Sequence, residues 1–156
     1  TIATNIRFAT PELSDMAITQ LFERLDLAEW LLSLPDGLST EVGERGSLLS
    51  AGERQLVALV RAASSSPDIL LLDEATSSVD ALTEVRLSHA LDLLAGGRTS
   101  VAIAHRLSTA ARADRVLVIA EGRLVVVGSH SDLIRRNGHY SKLYDAWIRA
   151  TEVEAT

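Results

Sequence analysis

Two adjacent acidic residues, Asp73 and Glu74, follow directly after four large aliphatic residues. The continuous apolar run Ile69–Leu72 is typical of a strand that is buried on both faces of a parallel sheet. Carboxylates at the carboxyl end of such a strand lie where open α/β sheets bind their ligands. Because side chains alternate along a strand, the two acids point differently and can have different roles. Taken alone, an acid pair of this kind is more often a solvated turn after a core strand.

A histidine occupies the corresponding place after a second apolar segment. Thr99–Ala104 is predicted to be a buried strand, and it stops at the polar pair His105-Arg106. A helix predicted from about Ala81 to Leu94 connects the two strands. Right-handed crossovers bring the ends of two such parallel strands to the same edge of the sheet. A lone histidine after a strand is usually structural, but this arrangement predicts that His105 and the two acids face one pocket.

The start of another predicted helix allows two interpretations. Ser50 and Glu53 have the spacing of a capping box, in which each side chain accepts a hydrogen bond from the backbone of the other. Alternatively, the amides of Ala51, Gly52 and Glu53, together with the Ser50 hydroxyl, present a positive helix end to an anion. Both interpretations hold at different times, because the hydroxyl can exchange its backbone partner for a phosphate oxygen.

The remaining segments are predicted from periodicity and from turn and cap residues. The N-terminal residues Thr1–Phe8 are expected to be an irregular apolar lead-in. The predicted elements that follow are a helix starting at Thr10-Pro11 or at Ser14-Asp15, a short helix over Leu27–Leu34, an exposed loop over Ser39–Ser47, a hairpin of Arg115–Ile119 with Arg123–Val127, a short helix over Asp132–Arg136, a last helix over Tyr140–Ala150 and a frayed end over Thr151–Thr156.

Composition limits the classes of function. A chain of 156 residues that is 47% hydrophobic can bury one domain core, and its net charge of −6 argues against a sequence-independent nucleic-acid binder. The absence of cysteine excludes thiolate metal sites and disulfides. The single lysine, Lys142, has no glycine-rich loop before it, and the chain begins at Thr1. A phosphate loop of the G-x-x-x-x-G-K-[ST] type is therefore expected to lie outside this chain.

Together these features resemble the nucleotide-binding domain of ATP-binding-cassette (ABC) proteins. Each matching motif is weak alone, but their order and spacing make a coincidence very improbable, and the resemblance extends from Thr1 to about Tyr144. The matches are Leu49–Glu53 with the signature, usually Leu-Ser-Gly-Gly-Gln, Ile69–Asp73 with the Walker B strand, Glu74 with the catalytic glutamate, Ser77–Asp80 with the D-loop and His105 with the switch histidine.

The resemblance implies a role for each site residue in the hydrolysis of ATP. Asp73 would support Mg²⁺, Glu74 would polarise the attacking water as general base, and His105 would contact the γ-phosphate. Asp80 would help to couple two composite sites. The signature residues Ser50, Ala51, Gly52 and Glu53 would act on the nucleotide of the opposite subunit, because cassettes pair head to tail.

Further matches point to the exporter subfamily. The loop Thr40–Gly46 resembles the exporter loop that lies next to the transmembrane domains, and Gly128–Ile134 with Gly138–Tyr144 is similar to the exporter C-terminal pattern. The resemblance implies an α/β fold, as part of a P-loop NTPase-like cassette. About residues 1–62 would form a helical signature subdomain, and about residues 67–150 the Walker B, D-loop and switch-histidine core.

The implied partners are transmembrane domains, bound through the Glu44-Arg45 loop, and a second nucleotide-binding domain, identical or not. No nucleic acid is implied. The expected location is the cytoplasmic face of the membrane.

One departure from the family pattern bears on the site. Glu53 replaces a neutral glutamine, and its carboxylate would weaken phosphate binding unless it turns back as the capping-box partner, which is the arrangement that we favour. Two other functions stay open. One is a chromosome-maintenance or DNA-repair ATPase of the SMC type, whose signature can also end in glutamate but which needs a coiled coil that Thr1–Ser47 does not show. The other is a non-catalytic cassette that regulates a partner.

We predict that this chain alone neither binds ATP tightly nor hydrolyses it, because it has no lysine-bearing phosphate loop. Isothermal calorimetry of the purified chain with Mg-ATP checks the prediction. Binding in the micromolar range would contradict it.

Overall fold

The computed structural model describes residues 1–73, 80–104 and 107–154. Internal contacts divide the chain into two compact units, Thr1–Val101 and Ala102–Thr156. The sequence suggests a boundary between the signature subdomain and the Walker B core near residues 62–67, and this boundary stays a prediction. In chain order the described helices and strands are α1 (Ile2–Arg7), α2 (Asp15–Arg24), α3 (Ala28–Ser33), α4 (Ala51–Ser64), β1 (Ile69–Asp73), α5 (Ala81–Ala95), β2 (Thr99–Ile103), α6 (Leu107–Arg112), β3 (Val116–Ala120), β4 (Arg123–Gly128), α7 (His130–Arg135) and α8 (His139–Glu154).

Helix α4 is the centre of the first unit, where it packs against α1, α2 and α5. Its apolar residues recur at helical spacing, as the sequence predicts, and they face the core. The α4 residues buried in this core are Leu56, Val57, Leu59, Val60 and Ala63.

The N-terminal segment is helical, so the expectation of an irregular lead-in is wrong. The Thr1 side chain caps α1 by accepting a hydrogen bond from the Thr4 amide at 3.2 Å. Ile2 and Ile6 lie one turn apart on the same face, and both are completely buried. The helix has only six residues, so its stability comes from this packing rather than from its length.

The next two helices agree with the sequence. Ser14 caps α2 by accepting from the Ala17 amide at 3.2 Å, which selects the second of the two predicted starts. Ile18 and Phe22 are completely buried on the predicted apolar face. Helix α3 then ends before Pro35, at the predicted turn.

The strands β1 and β2 are hydrogen-bonded neighbours joined through α5, but they are not buried as predicted. In β1, Leu70 faces the core, whereas Ile69 and Leu71 are 62% and 79% exposed. All of β2 is exposed. The apolar run predicts cover on both faces, but the elements of this unit cover only one face of β1.

Helix α5 spans the predicted residues with a different buried face. The spacing of Leu82, Val85, Leu87, Leu91 and Leu94 predicts the apolar side of this helix; Leu87 and Leu94 are buried, together with Ala90, while Leu82 and Val85 are exposed. These five residues are spread around the helix and define a face poorly, so periodicity alone included two exposed positions.

The second unit is built on the β3–β4 hairpin, which lies as predicted and pairs antiparallel with a register shift after Val118. Val118, Leu133 and Tyr140 form its buried cluster. Ser129 caps α7, and His130 Nδ1 lies 2.8 Å from the Tyr140 hydroxyl.

Two features of this unit differ from the sequence expectation. Helix α6 has only six residues and was not predicted. Helix α8 continues to Glu154, so the predicted frayed end at Thr151 is wrong for residues 151–154. In the described part of the chain no helix is both long enough and apolar enough to cross a membrane.

We predict that Leu56→Ala destabilises the chain by about 2–5 kcal/mol, because a completely buried leucine loses its packing and leaves a cavity. The matched control is Leu32→Ala, since Leu32 is 83% exposed and its truncation is expected to cost less than about 0.5 kcal/mol. Urea unfolding followed by circular dichroism measures both changes. Equal losses in the two variants would contradict the position of α4 at the centre of the core.

Candidate functional site

The structure places most of the predicted site residues at the ends of elements in the first unit. Asp73 is the last residue of β1, Asp80 caps α5, and Ser50 caps α4. Glu74 and His105 lie outside the described residues. The predicted pocket that joins the two residues to Asp73 therefore stays a prediction.

The capping box at the start of α4 is confirmed in both directions. The Ser50 hydroxyl oxygen accepts from the Glu53 amide at 3.2 Å, and the Glu53 carboxylate accepts from the Ser50 amide at 2.8 Å. Glu53 therefore folds back onto the N-cap residue at the start of α4. The first amides of a helix have no acceptor within the helix, so those of Ala51 and Gly52 remain suited to an anion.

A residue that the sequence did not single out also holds Glu53. Trp30, on α3, is only 4% exposed and its ring packs against Phe22, with 6.0 Å between the ring centroids. The indole Nε1–H donates to Glu53 Oε1 at 3.5 Å. The available signal was chemical, because a buried tryptophan carries a polar N–H that needs an acceptor. The sequence could not identify that acceptor.

Hydrogen bonding dominates the electrostatics of this helix end. The pKa of Glu53 is lowered, chiefly by the Ser50 amide, while partial burial and the nearby charge of Asp80 act in the opposite direction. A carboxylate whose pKa is lower in the folded chain stabilises it above the unfolded pKa, and this contribution is lost as the pH falls through the folded pKa. Glu53 thus supports the start of α4 at neutral pH, as a carboxylate.

Asp80 makes a similar local cap at the start of α5. Its carboxylate accepts from the Thr83 amide at 3.0 Å, and this hydrogen bond lowers the pKa of Asp80. Asp80 and Glu53 are therefore both negatively charged at neutral pH. The charge of Asp80 raises the pKa of Glu53, but this is the smallest of the contributions to that pKa.

Arg54 connects the loop before α4 to the helix itself. Its Nη1 donates to the carbonyl of Leu49 at 2.6 Å and to that of Gly46 at 3.4 Å. Gly46 has φ +76°, and a Cβ there would lie 2.7 Å from Arg54 Cδ. Glycine is thus required both by the backbone conformation and by the close approach of the arginine.

Asp73 is exposed at the carboxyl end of β1. Within residues 1–73, 80–104 and 107–154, no group of three or more histidine, aspartate or glutamate side chains is placed to hold a metal ion. Mg²⁺ is nevertheless compatible with a single exposed carboxylate, because it keeps several waters and takes one or two carboxylates together with substrate phosphates. Asp73 therefore fits the role of a magnesium ligand.

The chain is similar to known proteins of one family. The sequence profile of the family described as ABC transporter matches residues 2–77. The chain is 46% identical to an uncharacterized ABC transporter ATP-binding protein of Bacillus subtilis, over 94% of this chain and 24% of that protein. It is 47% identical to the ATP-dependent lipid A-core flippase of Shewanella oneidensis, over 92% of this chain and 24% of the flippase.

A solved structure gives the same result. The ATP-bound structure of a bacterial Atm1-family ABC exporter superposes with a TM-score of 0.82 and 41% identity, over 94% of this chain and 26% of the exporter chain. The chain belongs to the ABC transporter family. Its fold is that of part of an exporter-type nucleotide-binding domain, and it spans about a quarter of the length of these relatives.

We predict that Ser50→Ala lowers the free energy of unfolding by about 1 kcal/mol, because the Glu53 amide loses its acceptor. Ser88→Ala is the matched control, since Ser88 is exposed in the interior of α5, where alanine is at least as favourable as serine. Urea unfolding measures both variants. An equally small effect of the two substitutions would argue against the capping box.

Proposed function

We propose that this chain is part of an ATPase domain of an exporter, in which ATP hydrolysis at a head-to-tail pair of cassettes drives transport across a membrane. The observation that carries the proposal is the orientation of Glu53. Its carboxylate is bound to the Ser50 amide, so it does not occupy the amides of Ala51 and Gly52. These two amides would bind the phosphates of a nucleotide held by the opposite cassette.

Phosphoryl transfer requires mainly positioning and charge stabilisation from the protein. We assign Glu74 as the general base that takes a proton from the attacking water, and His105 as the residue that contacts the γ-phosphate and keeps Glu74 and the water in line. The water oxygen bonds to the γ-phosphorus, and the bond to the leaving oxygen of ADP breaks. Both assignments rest on the family resemblance. Asp73 would hold Mg²⁺, which neutralises phosphate charge when it is bound.

Asp80 is assigned to the coupling of the two composite sites. It caps α5 at the point where the D-loop-like segment ends. Its charge is the smallest of the contributions to the pKa of Glu53, and α5 packs against α4. A change in the position of α5 would therefore reach α4 through this packing.

We assign the Glu44-Arg45 loop as the contact with transmembrane domains, at the cytoplasmic face of the membrane. Both residues are exposed, and Arg45 has a positive φ of 54°. Arg54 binds the carbonyl of the next residue, Gly46, and that of Leu49. Displacement of the loop by a transmembrane domain would therefore reach the signature through the Arg54 side chain and through the hydrogen bond from the Leu49 amide to the Gly46 carbonyl. The exporter relatives favour this function over a DNA-repair ATPase.

We predict that Glu74→Gln in the complete protein leaves ATP binding intact and slows hydrolysis by orders of magnitude, because the water loses its base. Glu12→Gln serves as the control, since it removes a carboxylate from an exposed position before α2. Steady-state phosphate release measures turnover, and equilibrium nucleotide binding is measured in parallel. Near-normal turnover of Glu74→Gln would remove this residue from the role of base.

A further inference from the structure

We propose that Trp30 is a positioning residue that holds the Glu53 carboxylate on the Ser50 amide and so keeps it from the amides of Ala51 and Gly52, which would bind the nucleotide phosphates. The inference rests on the proposed function, because it concerns the phosphates that the start of α4 would bind. It extends that function by assigning to a residue on α3, 23 positions away in sequence, a part in nucleotide affinity.

The need for such a residue follows from the position of Glu53. It is the third residue of α4, within the first turn, where amides without helical acceptors attract any nearby anion. Free rotation of its side chain would let the carboxylate compete for those amides and repel a phosphate by Coulomb interaction at short range. A signature with glutamate therefore depends on how firmly this side chain is held.

Each oxygen of the carboxylate has its own donor. Oε2 accepts from the Ser50 amide at 2.8 Å, and Oε1 accepts from Trp30 Nε1 at 3.5 Å. The amide and the hydroxyl of Ser50 both act on the carboxylate, but they belong to one residue and hold it from the side of the N-cap. The indole N–H fixes its plane from a second direction.

A bound phosphate would leave these contacts in place. The Ser50 hydroxyl oxygen accepts from the Glu53 amide in this structure, and its O–H would donate to a phosphate oxygen without releasing that bond. Trp30 therefore holds the carboxylate in the presence of nucleotide as well as in its absence.

The packing of Trp30 makes it a rigid support. The Trp30 side chain extends from α3 into the core and contacts the Phe22 ring. The indole therefore cannot follow Glu53 if the carboxylate turns away. An indole N–H left without an acceptor in this place would carry a desolvation cost. The same cost therefore opposes any rotation of Glu53 toward the phosphates.

The test measures the rate of hydrolysis by variants of the complete transporter as a function of ATP concentration. Trp147→Phe is the control, because it removes an indole from another part of the chain. Trp30→Phe keeps an aromatic ring and removes the donor. It is expected to raise KM for ATP about three- to tenfold with little change in kcat, in line with the net contribution of one typical hydrogen bond of about 0.5–1.5 kcal/mol. In the Glu53→Gln background the same substitution is expected to change KM by less than about twofold, because a neutral amide does not repel phosphate.

An unchanged KM in Trp30→Phe would overturn the proposal. An equal change in KM with and without the Glu53→Gln substitution would also overturn it, because the effect would then come from packing alone. Replacement of Trp30 by benzothienylalanine, which has the size of the indole and no N–H, gives the same comparison if phenylalanine leaves a cavity. Absence of ATP hydrolysis in the unmodified transporter would instead contradict the proposed function itself.

Discussion

The pair of hydrogen bonds between Ser50 and Glu53 fixes where α4 begins, and the first unit is assembled around this helix. Helices α1, α2 and α5 all pack against it, so a shift of its first turn would alter the packing of the three. The same two residues are those that the ABC signature places at a nucleotide. Structural stability and the capacity to bind phosphate therefore depend on the same turn of helix. Glu53 stabilises this turn, and only its orientation keeps it from opposing phosphate binding.

The sequence predicted those elements whose signals are local. The cap and apolar stripe of α4 and the glycine turn between β3 and β4 are each contained in a few consecutive residues, and the structure confirms them. Burial of Ile69–Leu72 was predicted wrongly. A continuous apolar run indicates that a strand is suited to cover on both faces, whereas the described elements cover only one face of β1. Helix α1 was missed because its stability comes from the burial of Ile2 and Ile6, which no local signal shows.

The candidate site likewise contains residues that the sequence predicts and residues that only the tertiary structure shows. Ser50, Asp73 and Asp80 lie at the ends of elements, where motif spacing predicts them, because a cap or a strand end is a property of neighbouring residues. Trp30 could not be predicted, since its contact with Glu53 joins two helices that only the tertiary fold brings together. The glycine at position 46 was visible in the sequence, but its dependence on Arg54 required the three-dimensional structure.

The uncovered face of β1 has a practical consequence for handling this chain. Ile69 and Leu71 present apolar side chains to water on one strand, and exposed apolar strands promote association between molecules. The net charge of −6 opposes association only weakly at physiological salt, because screening acts over about 8 Å. This strand face therefore contributes to association of the isolated chain, and polar substitutions at these two positions are expected to reduce it.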